Sequence, residues 1–278
     1  GCFGSLDLLM THRDALPTSE RLGRGMSMNG DALFFLYNSE AALSGEHGAP
    51  LSTTARFEIP GADGEPRGVT VISGRLPKFL MPLAGRSLPL LSRLLPGSGK
   101  QSGGIALWRQ LRDLSGVAAG GALANTFMYK LDGEDAAGGR GRLDADGQVV
   151  MDWPDYRDDP VLRFGRERLA GWAAAANQSA DGLIGGRLID EPSTWPLLGG
   201  RAFGVHPLGG CNLGADPGSA VVDRELRLFR PDGGVYPGLR VVDASVIPTA
   251  LGVPPSLTIA ALAERAAEGL LAEIDADR

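Results

Sequence analysis

The chain has 278 residues, 43% hydrophobic and 22% charged, enough to bury a sizeable core in one or two domains. A formal net charge of -6 excludes nucleic acid as its main partner. With Gly 41 and Pro 19, many turns and irregular loops are expected.

Residues 4 to 13 read as a helix with Ser5 as its cap. Leu22-Gly23-Arg24-Gly25 and Asn29-Gly30-Asp31 carry turn chemistry. Strand-like runs follow at Leu33 to Tyr37, Thr53 to Ile59 and Val69 to Ile72. Residues 66 to 112 contain no Asp or Glu, yet hold eight cations among many leucines. Their prolines at 77, 82, 89 and 96 predict short helical pieces rather than one long helix. Gly121 to Leu131 reads as a strand region. Asp144-Ala145-Asp146-Gly147 reads as a hairpin turn between Arg142-Leu143 and Gln148 to Trp153. Helical spacing of Val161, Phe164, Leu169 and Trp172 predicts a helix over Pro160 to Ala176. Val235 to Val242 reads as a buried strand ending at Asp243, and Thr258 to Ile274 as a long C-terminal helix.

Cys2 and Cys211 do not make a disulfide framework. Free thiols fit a reducing compartment, so the expected location is cytoplasmic, with membrane association. The opening residues carry no basic n-region and no initiating Met, so the chain reads as the C-terminal part of something longer. No stretch of about 18 uncharged apolar residues occurs, and no transmembrane helix is expected. His206 and Cys211 offer two metal ligands, which do not complete a site, so no metal is expected. Generic nucleotide and hydrolase motifs are absent: no G-x-G-x-x-G, Walker A, G-x-S-x-G or CxxC.

The last quarter is the informative part. It holds His206-Pro207-Leu208-Gly209-Gly210-Cys211, then Asp243-Ala244-Ser245, then Gly252-Val253-Pro254-Pro255-Ser256 at the mouth of the last helix. On residues alone, His206 reads as a satisfied histidine in a tight turn, and Asp243 as a cap. The order of these motifs resembles the C-terminal signature of the glucose–methanol–choline (GMC) family of flavin oxidoreductases, cholesterol-oxidase-like branch. Gly4-Ser5-x-x-Leu8-Leu9 with Asn29-Gly30-Asp31, and Met128 to Asp132 with Gly141 to Trp153, extend the resemblance weakly over nearly the whole chain.

The resemblance implies FAD as cofactor and oxidation of a CH–OH donor, a sterol or other bulky lipophilic alcohol, with oxygen or another acceptor taking the electrons. It implies His206 as catalytic base beside the flavin. Gly209 and Gly210 would permit close backbone approach to the ring. Asp243 and Ala244 would meet the ribityl and phosphate region, with Gly4 and Ser5 at the domain's edge. Pro254, Pro255 and Ser256 would bring the helix N-terminus to the flavin. The family's asparagine before the proline is replaced by Pro254, which has no polar side chain and no N–H. Asn125, Asn29 and Tyr129 are candidate substitutes. The family's nucleotide-binding half would be a necessary partner, and this chain alone is expected to bind FAD poorly.

The expected fold is α+β. A substrate domain over 32–205, with a mostly antiparallel sheet plus helices, is flanked by FAD-domain pieces at 1–31 and 206–278. The rival reading is a non-catalytic or truncated homologue that binds a lipid or partner. Segment 66–112 suits a lid that also touches an anionic membrane surface. The plain alternative is a loop-rich core region with solvated cations.

Overall fold

A computed structural model describes residues 1–40, 51–61, 63–74, 81–94, 103–115, 120–153, 155–178, 186–190 and 204–276. In chain order its elements are α1 (Cys2–Thr11), β1 (Arg24–Ser27), β2 (Ala32–Tyr37), β3 (Leu51–Pro60), β4 (Pro66–Gly74), α2 (Met81–Leu94) and α3 (Gly103–Leu114). Next come β5 (Phe127–Gly133), β6 (Gly139–Leu143), β7 (Val149–Asp152), α4 (Pro160–Gln178) and β8 (Arg187–Asp190). The chain continues through β9 (Leu208–Gly210), β10 (Arg227–Phe229), β11 (Val235–Arg240) and α5 (Ser256–Ala276). The architecture is helices with antiparallel sheets, as the composition and motif order predict.

Two compact units divide the chain: one is Gly1–Gly30, Gly133–Asp159 and Gly204–Arg278, the other Asp31–Asp132 and Pro160–Phe203. Sequence drew one domain over 32–205. By packing, 133–159 groups with the terminal segments, because β6 pairs antiparallel with β1 and β7 pairs with β6.

The first unit is built on a sheet of order β7-β6-β1-β9. Its core gathers Leu6 and Leu9 of α1, Met26 of β1, Leu208 and Cys211 around β9, and Val221, Val222, Leu226 and Leu228. Leu6, Leu9 and Cys2 recur at helical spacing, which turns one stripe of α1 inward. The hairpin turn falls where sequence places it: Gly147 takes φ +73°, and Asp144 Oδ1 accepts from the Asp146 and Gln148 amides. α5 is rich in Ala, Leu and Glu, all strong helix formers, and starts directly after Pro254-Pro255.

The second unit is a five-stranded sheet of order β3-β4-β5-β2-β8. Period-2 alternation along β2 sends Phe35 and Tyr37 to one face, where Met128, Ile189 and Ala84 and Leu88 of α2 close the core. α4 packs on β2, β4 and β8. Within this unit Phe57 stacks on Phe164 at 5.4 Å and Trp172 at 5.9 Å. Lys130 is buried in the same unit between Asp31, at 2.6 Å, and Asp132.

Four readings change. Helix α1 begins at Cys2, so Ser5 lies inside it rather than at its cap. β11 is not buried, because among the described residues it pairs with β10 alone, in a two-stranded ribbon. Residues 123–125 form a 3-10 turn before β5, where sequence expected strand. Pro89 sits inside α2, which absorbs it without a break in the helix. Arg75, Lys78, Phe79, Leu80, Leu95 and Lys100 of the acid-free segment lie outside the described residues.

Candidate functional site

The first unit joins the motif segments that sequence could place only in order. Ser5, on α1, donates its hydroxyl to Asp243 Oδ2 at 2.5 Å across 238 residues. The other oxygen, Asp243 Oδ1, accepts the Ser245 amide at 2.8 Å, capping the 3-10 turn Ala244–Val246. Burial pushes the Asp243 carboxyl up, but the bonds from Ser245 and Ser5 outweigh it and hold the group below its usual range. The capping reading of Asp243 is thus present, and Ser5 adds a long-range tie to it.

The next ties run to the histidine segment. The Cys211 amide donates to Ser245 O at 2.9 Å, and Leu213 N to Val246 O at 3.0 Å. Cys2 Sγ donates to Gly209 O at 3.3 Å. β9 itself pairs antiparallel with β1, Arg24 opposite Gly210 and Ser27 opposite Leu208. His206 stands two residues before β9, half-buried, while Leu208, Gly209, Gly210 and Cys211 are fully buried. The imidazole is therefore carried at the end of a tightly held strand.

The two glycines have a steric reason inside the unit. A Cβ on Gly209 (φ +79°) would stand 2.2 Å from Gly25 O, and one on Gly210 would meet Leu6 at 2.9 Å. Their small size lets β9 lie against β1 and α1. Gly4, by contrast, is exposed and has open space where a Cβ would go.

The loop before α5 is organised by a residue that sequence read only as turn chemistry and as a candidate substitute. Asn29 is fully buried with φ +58°. Its Oδ1 accepts the amides of Leu251 at 2.8 Å and Gly252 at 3.1 Å. Its Nδ2 donates to Val253 O at 2.9 Å. Three consecutive residues are thus held just before Pro254, which is half-buried, and Pro255, which is buried. Pro255 O accepts the Ile259 amide at 3.0 Å, so the amides of Ser256, Leu257 and Thr258 precede the first bond of α5 and point from its N-terminus. Ser256 is exposed.

Asp135 organises the turn that carries Asn29, a role with no signal in the sequence. Its Oδ2 accepts the Met28 amide at 3.1 Å and the Gly30 amide at 2.9 Å, and Oδ1 accepts Ala137 N at 3.0 Å. Burial raises this carboxyl to about 6, against those hydrogen bonds, which lower it. Cys2 and Cys211 are inert thiols, pushed up to about 12 by burial.

The other two candidate substitutes lie in the second unit. Asn125 is buried and donates to Gly121 O at 3.2 Å. Tyr129 packs on Phe127 at 4.9 Å, and burial raises its phenol.

Residues 144–263 match the GMC oxidoreductase family model. The chain is 48% identical over 64 residues to a cholesterol oxidase of Acinetobacter baumannii, covering 23% of this chain and 11% of that protein. It is 44% identical over 87 residues to a cholesterol oxidase of Mycobacterium tuberculosis (strain H37Rv), covering 31% and 13%. A long-chain-alcohol oxidase of Arabidopsis thaliana is 30% identical over 145 residues, covering 45% and 19%. The matches thus span less than a quarter of those relatives' length. Among solved structures, formate oxidase of Aspergillus oryzae RIB40 aligns with TM-score 0.55 and 14% identity over 98% of this chain and 53% of that one, a likeness of fold. Its C-terminal stretch is thus similar to the GMC oxidoreductase family model, and the cholesterol oxidases among the relatives place that likeness on the cholesterol-oxidase-like side.

Proposed function

We propose that this protein oxidises the CH–OH group of an alcohol with FAD as cofactor, and that His206 is the base. The observation that carries the reading is the wiring of the histidine strand to the Asp243 turn, through Cys211 N to Ser245 O and Ser5 to Asp243. Together with the clamped entry to α5, it supports reading these segments as one cofactor-facing group.

The residues present fit FAD at one end. The first-turn amides of α5, at Ser256, Leu257 and Thr258, suit an edge that gains negative charge. Asp243 has both oxygens engaged by Ser5 and Ser245, so it would serve by shaping the Ala244-Ser245 backbone. When bound, FAD supplies the hydride acceptor. His206, neutral, takes the proton of the substrate hydroxyl as the C–H bond is broken. The strand that follows it is tied to β1 and, through Cys211 N, to Ser245 O, which supports a fixed backbone beside the histidine. Pro254 offers the alcohol neither a polar side chain nor an N–H, so a different side chain orients it. The cholesterol and long-chain-alcohol oxidases among the relatives support a sterol or other bulky lipophilic alcohol, with oxygen or another acceptor re-oxidising the flavin.

The test uses the natural full-length protein. It should be yellow and should bleach anaerobically with cholesterol or a long-chain primary alcohol. His206→Ala should lower kcat by roughly 10²–10⁴-fold, the range for a lost general base, with FAD content unchanged. Unchanged turnover in His206→Ala would reject the assignment. Pro254 favours a second reading, a non-catalytic homologue; a flavin-loaded protein that no alcohol bleaches would select it.

A further inference from the structure

Helix α3 is amphipathic the wrong way round. The side chains it buries are polar: Gln110 at 2% exposure and Asp113 at 6%. The side chains it turns outward are apolar: Ile105 at 71%, Trp108 at 61%, and Leu107, Leu111 and Leu114 near half exposed. A surface helix ordinarily does the reverse.

The orientation is fixed by specific bonds within the second unit. Arg93 of α2 donates to Gln110 at 3.2 Å, and Asp113 accepts the Leu123 amide at 2.9 Å. Asn38 donates to Ala106 O at 3.0 Å, and Arg109 to Ser39 O at 2.9 Å. The polar face is thus held inward by its partners, and the helix cannot roll its leucines into the core without breaking them. Neighbouring α2 adds Leu83, Leu90 and Leu94, exposed by 66%, 57% and 64%. An apolar face of this extent marks an interaction site.

Its charge names the occupant. The only acid on either helix is Asp113, which is turned inward, whereas Arg86 and Arg93 are exposed and Arg112 half-exposed. This rim is cationic on a chain of net charge -6, so it is a local feature rather than a global one. Apolar side chains with a tryptophan, bordered by arginines, are the composition of an element lying in a lipid headgroup layer. No helix among the described residues is long and apolar enough to cross a bilayer, which restricts the contact to the interface.

We propose that α2 and α3 dock this protein onto an anionic lipid bilayer, with Trp108 and Leu111 entering the interface and Arg86 and Arg112 meeting the headgroups. The inference stands independently of the alcohol-oxidation reading. It is tested on the full-length protein with vesicles of phosphatidylcholine alone or with 30% phosphatidylserine, roughly a physiological anionic fraction. Cosedimentation should be at least about 10-fold stronger on the anionic vesicles and should weaken as salt rises from about 0.05 to 0.5 M. Trp108→Ser with Leu111→Ser, both on the exposed face, should reduce binding at least about 10-fold, the loss expected from two withdrawn anchors. Brominated lipid should quench wild-type tryptophan emission, and Trp108→Phe should remove that quenching, a readout independent of the double variant's folding. No binding by the full-length protein would overturn the proposal. Equal binding by the double variant, or a dimer that this variant dissociates, would overturn it as well.

Discussion

Asn29→Gly separates two roles that the wild-type residue combines. Glycine adopts φ +58° at no steric cost, so any demand for left-handed backbone is still met. What is lost is the side chain and its three bonds to Leu251, Gly252 and Val253. Each such bond contributes about 0.5–1.5 kcal/mol net, and relief of the left-handed asparagine returns up to about 1 kcal/mol. The three bonds, about 1.5–4.5 kcal/mol together, less that relief and the partial rescue by water entering at the freed amides, leave a loss of about 1–3 kcal/mol in closing the loop. That corresponds to a roughly 5- to 150-fold rise in loop opening. Peptide-resolved hydrogen exchange reads it directly. The amides of residues 250–253 should exchange faster by that factor, while the β1–β9 pairing keeps its protection. Asn29→Asp, which keeps the oxygen that both amides use, should fall between. If Asn29→Gly leaves the amides of 250–253 protected as in wild type, the side chain does not hold the loop and the reasoning fails.

Gly209→Ala places a Cβ 2.2 Å from Gly25 O at φ +79°, so β1 and β9 must separate; a loss of about 2–4 kcal/mol in urea unfolding is expected from strain and broken pairing. Gly4→Ala, in open space on α1, should instead stabilise by up to about 1 kcal/mol; equal effects of the two would refute the packing account. Asp135 titrates near 6 when folded, against an ordinary value of 3.8. Its raised value contributes stability that is full below about pH 4 and lost as pH rises through 6, roughly 3 kcal/mol in all. Asp135→Asn should remove that slope from the pH–stability curve; an unchanged slope assigns it to another group.

Much of the framework was legible because it follows local chemistry. The alternation in β2, the turn Asp144–Gly147 and the helical spacing from Val161 to Trp172 each declare themselves within ten or so residues. The motif order also placed His206, Asp243 and Ser256 near one another, and the fold brings their segments into one unit. The partners of those segments were not legible. Ser5 looked like a cap and is instead bound to Asp243 across 238 residues. Asp135 gave no sign of organising the 28–30 turn, since its donors are backbone amides, which every sequence has. β11 has a strand's composition, but its burial depends on which neighbour it finds, and among the described residues it finds β10 alone. The apolar face of α3 shows in the leucine spacing, whereas its outward direction depends on Asn38, Ser39 and Leu123, residues from other parts of the chain.

β1 lies between β6 and β9 in its sheet, and its partners come from more than a hundred residues later in the sequence. On a ribosome, β1 emerges long before either neighbour exists. Its backbone groups must wait for Gly139–Leu143 and then for Leu208–Gly210, while the whole second unit is synthesised in between. The first unit therefore cannot complete its sheet until the last quarter of the chain is made, a high-contact-order route that folds slowly. A nascent chain stopped before residue 208 would carry an unpaired strand edge, a template for aggregation. The time available for that error is set by the length of the intervening unit.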